Sequence, residues 1–580
     1  MRFRCSLRRP PARADRWPGT AAGAQGAALV LVALLVALLT APSAWAEEGL
    51  PMFIDVTEEA GLLEAKHSFG DFNLSNIVEG TGAGAAFFDY DGDGLMDIYL
   101  PNGTWTRDVN DNRGRSLHGR LRNYLFRNNG DGTFTDVTEA AGVADADSFG
   151  FGVSAVDYND NGHIDLYVLN YGRNTLYRNN GDGTFTDVSA ESGLDDPRWS
   201  LAAPWFDYNG SGLMDVYVAN YLEYDAGAFR DFYPGEGFPG PLAYYGQPDA
   251  LYRNNGDGTF TDVTHEAGIY QAEGRAMSAA VADLNGNGLL DVYVANDAME
   301  NYYFRNQGDG TFVEDALVRG LAFGEGGQGV SSMGPAVGDV NRNGLLDLYI
   351  PDMNYGCLLI NRGEYFEDRT AQSNLAVVCG QYTGWGGLLF DYDNDGYLDV
   401  FVSNGDAHFE FPEEDVLMRN DGTGNFVDVA RYSGDYFARR YVGRGSAFGD
   451  FDNDGHLDLL IVNLNDHPRL LRNEGGSGNH WLKVQPMLPG GRSLAIGATV
   501  VVSVGPLRQV YPVIPVSGYI SQNDPRAHFG LGEATVADRV EIRWADGTET
   551  ALTNVPANQT LRVVQDSPGL PALQSVSRSE

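Results

Sequence analysis

Seven stretches of this chain place oxygen-bearing side chains at alternate positions of a short glycine-containing loop, and the chemistry of that arrangement is cation binding. The first reads Asp89-Tyr90-Asp91-Gly92-Asp93-Gly94-Leu95-Met96-Asp97. Side chains two apart on a tight loop converge on one centre, glycine lets the backbone turn sharply, and carboxylate and carbonyl oxygens suit a hard cation, Ca2+ above all. Positions one, three, five and nine would give side chains and position seven a backbone carbonyl. The first loop then offers Asp89, Asp91, Asp93, Leu95 and Asp97, and the second Asp157, Asn159, Asn161, His163 and Asp165. The third offers Asp207, Asn209, Ser211, Leu213 and Asp215, and the fourth Asp283, Asn285, Asn287, Leu289 and Asp291. The fifth has Asp339, Asn341, Asn343, Leu345 and Asp347; the sixth Asp391, Asp393, Asp395, Tyr397 and Asp399; the seventh Asp450, Asp452, Asp454, His456 and Asp458. Up to seven Ca2+ ions are expected. Affinity follows ligand charge, so loops two to five, with two aspartates each, should bind more weakly, or be turns capped by their own Asn and Asp side chains without metal.

An EF-hand begins in the same way but needs a Glu at position twelve, where the first loop has Leu100. The residues after each loop are runs such as Ile98-Tyr99-Leu100, Val216-Tyr217-Val218 and Val292-Tyr293-Val294, which favour strands. The loops therefore join strands. A second signature follows each loop, clearest in Leu125 to Thr138 and repeated from Leu176 to Ser189 and from Leu251 to Thr264, with looser copies starting at Tyr303, Leu358, Leu417 and Leu470. Strand, Gly-Asp-Gly turn, strand is a hairpin pattern. About four short strands per unit, repeated seven times, predict an all-β chain: a seven-bladed β-propeller with Ca2+-binding loops over residues 53–475. Phe53 to Leu62 copies the end of a unit before any unit has begun, and the seventh unit lacks that piece, so Phe53 to Thr57 should complete the last blade. A small all-β domain is expected over 479–566, with strands at Trp481–Val484, Ala498–Val504, Gln509–Val516, Arg539–Trp544 and Thr560–Val564, and a disordered tail over 567–580.

A formal charge of −40 excludes an electrostatic nucleic-acid footprint, and 12% aromatic with 43% hydrophobic residues exclude disorder as its explanation. Residues 1–46 read as a secretory signal peptide: an Arg-rich start, an apolar run from Ala27 to Leu39, and a small-x-small site at Ala44-Trp45-Ala46. Cleavage near Ala46 would release a secreted, extracellular or periplasmic chain, monomeric and without membrane insertion; an uncleaved anchor is the alternative. The mature chain keeps Cys357 and Cys379, bridged or buried as thiols.

Long insertions lie between the loop strand and the hairpin at Asn102–Asn123, Tyr221–Gln247 and Gly405–Glu414. The second is dense in aromatic residues, and Tyr221, Tyr224, Phe232, Tyr233, Tyr244 and Tyr245 form a candidate ligand surface; the equal alternative is that these rings pack on one another and cap the ring.

The repeats resemble the FG-GAP or VCBS repeats of integrin α-subunit propellers. Ala495-Ile496-Gly497-Ala498 and the block Gly518 to Gly532 resemble the ASPIC/UnbV domain, and the combination is similar to the cartilage acidic protein family. The resemblance implies a secreted Ca2+-binding propeller of the adhesion or matrix type. The favoured function is a binding or adhesion module for a glycan or protein partner. The alternatives are a matrix or surface scaffold and a polysaccharide-acting propeller enzyme. Against the enzyme, no nucleophile elbow or HExxH occurs and no catalytic residue is assigned. His163 and His456 are expected to face solvent.

Overall fold

Short β-branched and aromatic runs separated by glycine turns pair with their sequence neighbours, because such hairpins close the smallest loops. A computed structural model of the chain describes residues 51–68, 74–104, 106, 109, 121–224, 238–353 and 355–566. The expected signal peptide and tail, and Phe232 and Tyr233, lie outside the described residues. Among these residues seven antiparallel sheets follow one plan, seen in the first as Ala86–Phe88, Asp97–Leu100, Tyr124–Asn128 and Phe134–Asp136, ordered from inside to outside. The acidic loop joins the two inner strands, and in the first six sheets a glycine-containing turn, Gly-Asp-Gly in the first four, joins the two outer ones. In the third sheet the inner strand is split into Ser200–Ala202 and Trp205–Phe206, where Pro204 lacks the N–H a ladder needs.

The sheets form a closed ring, a β-propeller. An apolar core fills each gap between neighbours, for example Phe88, Tyr99 and Leu125 of the first sheet with Val153, Leu166 and Phe185 of the second. The cycle closes where Ile98 and Phe126 of the first pack with Ala447, Leu460 and Leu470 of the seventh. Phe53–Asp55 pairs antiparallel with Arg469–Asn473, Phe53 opposite Asn473, so the N-terminal segment is the outer strand of the last blade. Phe53, Val56, Ala60 and Leu62 are buried there. Each large apolar side chain so buried stabilises by about 1.5–3 kcal/mol, and the strand covers an edge that would otherwise be open. Deletion of residues 47–62 is therefore expected to abolish cooperative melting and cause aggregation; a deletion variant melting at the wild-type temperature would contradict ring closure.

Polar clasps tie each blade to the one before it. Asn128 Nδ2 donates to the Met96 carbonyl of its own loop at 3.0 Å and to the Phe451 carbonyl of the seventh loop at 2.8 Å. Asn179, Asn254, Asn306, Asn361, Asn420 and Asn473 repeat the pattern to the carbonyls of Tyr90, Tyr158, Tyr208, Leu284, Val340 and Tyr392. Each asparagine carbonyl accepts the N–H two residues on, Gly130 at 2.9 Å in the first case, which seats the hairpin turn.

The C-terminal region is a β-sandwich. Ala527–Gly532, His480–Met487 and Thr560–Val564 form one sheet; Leu507–Pro512, Thr499–Val504, Val536–Arg543 and Glu549–Pro556 form the other, around Leu482, Val500, Phe529, Val540 and Trp544. The strand expected over Gln509–Val516 ends at Pro512, because after Val513, the last of these residues in the sandwich core, the chain leaves the sandwich and enters the ring. Gly518 N donates to the Pro335 carbonyl at 2.9 Å, Gln522 N to Ala85 at 2.8 Å, and Asp524 N to Phe448 at 2.9 Å. The hydroxyl of Ser278 donates to the Gly518 carbonyl at 2.8 Å, Ala155 N to Gln522 Oε1 at 2.7 Å, and the Tyr519 ring meets Trp385 at 5.3 Å. A segment bonded to inner strands all round a ring lies on its axis, so the segment 513–526 runs from the sandwich core into the channel and fills it. The propeller and sandwich lie in one compact unit, Gly49–Glu580.

Candidate metal centre

The loops share one hydrogen-bond scheme. The first aspartate accepts N–H groups of its own loop: Asp89 Oδ1 from Gly92 at 2.8 Å and Asp93 at 3.0 Å, Oδ2 from Gly94 at 2.9 Å. The ninth-position aspartate is fully buried and anchors the loop to the sheet: Asp97 Oδ2 accepts from Tyr90 N and Oδ1 from Asn128 N, at 2.9 and 2.8 Å. Burial pushes its carboxyl up to about 8, does the same at Asp165, and raises Asp399 and Asp458 well above the ordinary range. These groups are costly to ionise in an apolar setting without a cation beside them.

In the first, sixth and seventh loops the carboxylates converge. One oxygen each from Asp89, Asp91 and Asp97, from Asp391, Asp393 and Asp399, and from Asp450, Asp452 and Asp458 lie within 4.8 Å of one another. That is about twice a Ca2+–oxygen distance of 2.3–2.6 Å, so an all-oxygen donor set of this size fits Ca2+. The clusters comprise positions one, three and nine. Position five does a different job: Asp93, Asn161, Ser211, Asn287, Asn343, Asp395 and Asp454 each accept the N–H of position seven, at 2.9 Å from Leu95 and 2.8 Å from His456.

The other four loops keep the turn but close it internally. Asn159, Asn209, Asn285 and Asn341, at position three, donate Nδ2 to the ninth-position carboxylates of Asp165, Asp215, Asp291 and Asp347 at 3.0, 3.5, 2.8 and 3.3 Å. The amide supplies the positive pole that a cation would supply in the other three loops. Asp157, Asp207, Asp283 and Asp339 accept loop N–H groups as Asp89 does.

Position-seven side chains lie over the hairpin glycine of their own blade: Leu95 over Gly130, Leu213 over Gly256, Leu289 over Gly308 and Tyr397 over Gly422. His163 is exposed, as expected. His456 is not fully so: it is half-buried, its ring lies over Gly475, and its Nδ1 is 3.2 Å from Asn394 Nδ2. The His163 ring lies over Gly181 in the same way, so it is the contact with Asn394 of the neighbouring loop that sets His456 apart.

Two family descriptions match this chain. FG-GAP-like repeat matches residues 109–168, 157–218, 242–294, 283–350 and 391–461. The chain belongs to the FG-GAP-like repeat family. The description ASPIC and UnbV matches residues 489–569. Among curated proteins it is similar to Cartilage acidic protein 1 of Homo sapiens, 28% identical over 321 residues, covering 52% of this chain and 45% of the relative. The Mus musculus protein is 29% identical over 322 residues, with 52% and 46% covered. The chain thus spans about half the length of the curated relatives it matches. Among solved structures, an Agrocybe aegerita lectin recognising non-reducing terminal N-acetylglucosamine aligns with 19% identity and TM-score 0.38, over 66% of this chain and 86% of that one. BBS1N in complex with ARL6DN aligns with 9% identity and TM-score 0.39, over 70% and 97%.

On the opposite face of the FG-GAP ring the insertions cover the axis. Tyr221 and Tyr244, read from the sequence as ligand surface or cap, are the cap: they are buried with Phe238, Trp199 and Val109 against Tyr519 and Ile520 of the axial segment. Tyr221 donates its hydroxyl to Asp297 Oδ2 at 2.6 Å, and Tyr224, half-buried, meets Tyr244 at 5.4 Å. Tyr245 is 52% exposed, beside Leu242 at 46%. Leu242 and Tyr245, three residues apart at the short 3-10 turn Pro241–Ala243, thus face the solvent, and Ala243 and Tyr244 between them face the cap.

Among the described residues Cys357 and Cys379 are both buried thiols, not bridged to each other. No described helix is long and apolar enough to cross a membrane. A cavity of about 150 Å³ opens where the first two FG-GAP loops meet the sandwich, lined by Tyr90, Met214, Leu494 and Ile496 with Asp89 and Asp157. Both carboxylates accept several N–H or O–H groups, Ser493 Oγ reaching Asp157 Oδ2 at 2.5 Å.

Two further carboxylates sit where other blades have asparagine. Asn123 and Asn174 accept the N–H of Asn102 and Asn170, and Asp249 and Asp415 do so for Asn220 and Asn404 while accepting the hydroxyls of Tyr217 and Tyr436 at 2.6 Å. Burial pushes each carboxyl up to about 7. The folded value exceeds the unfolded one, so the stability these groups contribute is full below about pH 4 and is lost as pH rises through about 7. Asp249→Asn keeps the acceptor and cannot ionise. Its melting temperature should gain on wild type between pH 5 and pH 8, by the equivalent of roughly 2–3 kcal/mol at 1.36 kcal/mol per unit; parallel pH profiles would contradict this.

Proposed function

We propose that the chain is a calcium-stabilised binding or adhesion module acting outside the cytoplasm, which presents the insertion face of a rigid ring to an extracellular glycan or protein. The observation that carries this reading is the filled axis. Residues 513–526 occupy the channel where a propeller enzyme would hold its substrate, so recognition is left to the outer surfaces. Much of the cation-loop face is taken by the sandwich, and Tyr245, Leu242 and Phe411 are exposed on the other. The leader-like sequence of residues 1–46 and the name of the matched relatives, Cartilage acidic protein 1, are consistent with a secreted protein of matrix type.

In this reading the first, sixth and seventh loops hold Ca2+ most tightly, through Asp89, Asp91 and Asp97 and their counterparts. The four asparagine loops bind weakly, or remain hydrogen-bonded turns. Bound Ca2+ neutralises converging carboxylates; its role is structural. A glycan array probed with the mature chain in millimolar Ca2+ and after chelation tests the function. Calcium-dependent binding to a defined glycan class supports a lectin-like module, and silence from folded protein moves the ligand to the protein class.

Neighbouring tyrosines should separate surface from cap. Tyr245→Ala is expected to weaken ligand binding while changing stability by less than about 0.5 kcal/mol, as an exposed substitution. Tyr244→Ala should cost about 3 kcal/mol, as loss of a buried aromatic ring. Thermal melting of the two variants checks the pair, and equal destabilisation would contradict the assignment.

A further inference from the structure

The seventh cation loop is built from both domains. Lys483, on the sandwich strand His480–Met487, is fully buried and ion-pairs with Asp450, the first-position carboxylate, on the Oδ2 that also accepts Gly455 N. Arg526, at the end of the axial segment, is held by Asp524 and reaches the same loop. One guanidinium nitrogen is 2.9 Å from the Asp450 carbonyl and another 2.7 Å from Asn453 Oδ1. His528 Nε2 lies 3.1 Å from the Gly455 carbonyl, and the Trp481 ring covers Gly455 so closely that a Cβ there has no room. In the first loop, by contrast, Asp89 accepts its bonds from its own loop.

We propose that the seventh cation site is a composite site. Lys483 and Arg526 are its outer-sphere positioning residues, and cation binding and docking of the sandwich with its axial segment are one coupled equilibrium. This rests on the reading that the four-aspartate loops bind Ca2+. Asp450, Asp452, Asp454 and Asp458 bring four carboxylates into nine residues, and Lys483 pairs with one of them. The remaining repulsion is relieved when the cation draws the loop together. Only the closed loop presents Asp450 Oδ2, Asn453 Oδ1 and the Gly455 carbonyl to Lys483, Arg526 and His528 at once. An opened loop would leave a buried ammonium without its partner, which is costly. Ca2+ therefore favours docking, and docking favours Ca2+ by the same factor.

Asp452→Asn tests this, because Asp452 is an exposed third-position carboxylate of the cluster, and the ion pair of Lys483 is with Asp450. Bound Ca2+ is counted by equilibrium dialysis, and hydrogen exchange over residues 513–526 is followed by mass spectrometry with and without Ca2+. In the wild type Ca2+ is expected to slow that exchange tenfold or more. Asp452→Asn should lose one Ca2+ and most of this slowing, while the hairpins of the second and third blades keep their exchange rates. Lys483→Met should weaken Ca2+ binding at this loop about tenfold, although removing a nearby positive charge would by itself strengthen it. The proposal is overturned if Asp452→Asn loses one Ca2+ yet residues 513–526 respond as in the wild type, or if Lys483→Met binds Ca2+ as well or better. Wild-type protein that binds no Ca2+ at all overturns both this and the calcium reading beneath it.

Discussion

Removing Ca2+ is expected to lower the melting temperature of the mature chain by about 15 °C. Each site that binds only the folded state adds about 2.7 kcal/mol at a ligand concentration a hundredfold above its dissociation constant. Three such sites add roughly 8 kcal/mol, comparable to the net stability of a whole domain. At about 2 °C per kcal/mol for a large chain, this gives the shift stated. The physical source is local. The clusters of Asp89, Asp91 and Asp97, of Asp391, Asp393 and Asp399, and of Asp450, Asp452 and Asp458 hold carboxylate oxygens within 4.8 Å of one another. The first and seventh loops lie in adjacent blades, the seventh in the blade that Phe53–Asp55 completes. Loss of metal should therefore open the ring at that joint first. Differential scanning calorimetry in millimolar Ca2+ and in excess chelator measures the effect, and coincident melting curves would contradict it.

The second large effect is expected from crowding the axis. A Cβ on Gly334 would overlap the backbone between Gly518 and Tyr519, and one on Gly84 would overlap the Ile520 carbonyl. The same position in the fourth blade is Ser278, whose hydroxyl fits because it donates to the Gly518 carbonyl at 2.8 Å. Backbone cannot rotate aside as a side chain can, so Gly334→Val should cost 3 kcal/mol or more, at or above the upper end of ordinary overpacking. It should also expose residues 513–526 to protease. Ser278→Ala removes one hydrogen bond and should cost about 1 kcal/mol. A Gly334→Val variant as stable and as protease-resistant as Ser278→Ala would show that the segment does not occupy the axis.

The repeating parts of the chain were legible in its sequence because repetition multiplies a weak signal. One loop such as Asp283 to Asp291 is ambiguous alone, but seven loops in register, six of them followed by a full hairpin, fix blade, strand order and closing strand. Val500 to Val504 and Leu561 to Val564 were legible as strands for the ordinary reason that β-branched runs are. Ala527–Gly532 and Glu549–Pro556 were not, since glycine, histidine, asparagine and proline dilute their pattern. The axial segment left no periodic trace. Gly518 to Arg526 is rich in turn formers, and its partners lie as far away as Thr81 and Ala85. It stood out only as a family-like block, without a structural role. The clasp residues Asn128, Asn179 and their counterparts were visible as a repeat, but the adjacent Gly-Asp-Gly turn accounted for them too easily. A signal existed in the invariance of asparagine at that place, which a turn alone does not demand. The short 3-10 turn at Pro241–Ala243 turns Tyr244 to the cap and Tyr245 to the solvent, and it depends on contacts that no local pattern records.

The most direct test of a calcium-held ring is the number of Ca2+ ions bound per chain, measured by equilibrium dialysis of the mature protein from micromolar to millimolar Ca2+. The account predicts three ions at low concentration, each lost separately in Asp91→Asn, Asp393→Asn and Asp452→Asn, with any further binding from the asparagine loops only at much higher concentration. Folded protein that binds no Ca2+ across this range would contradict it.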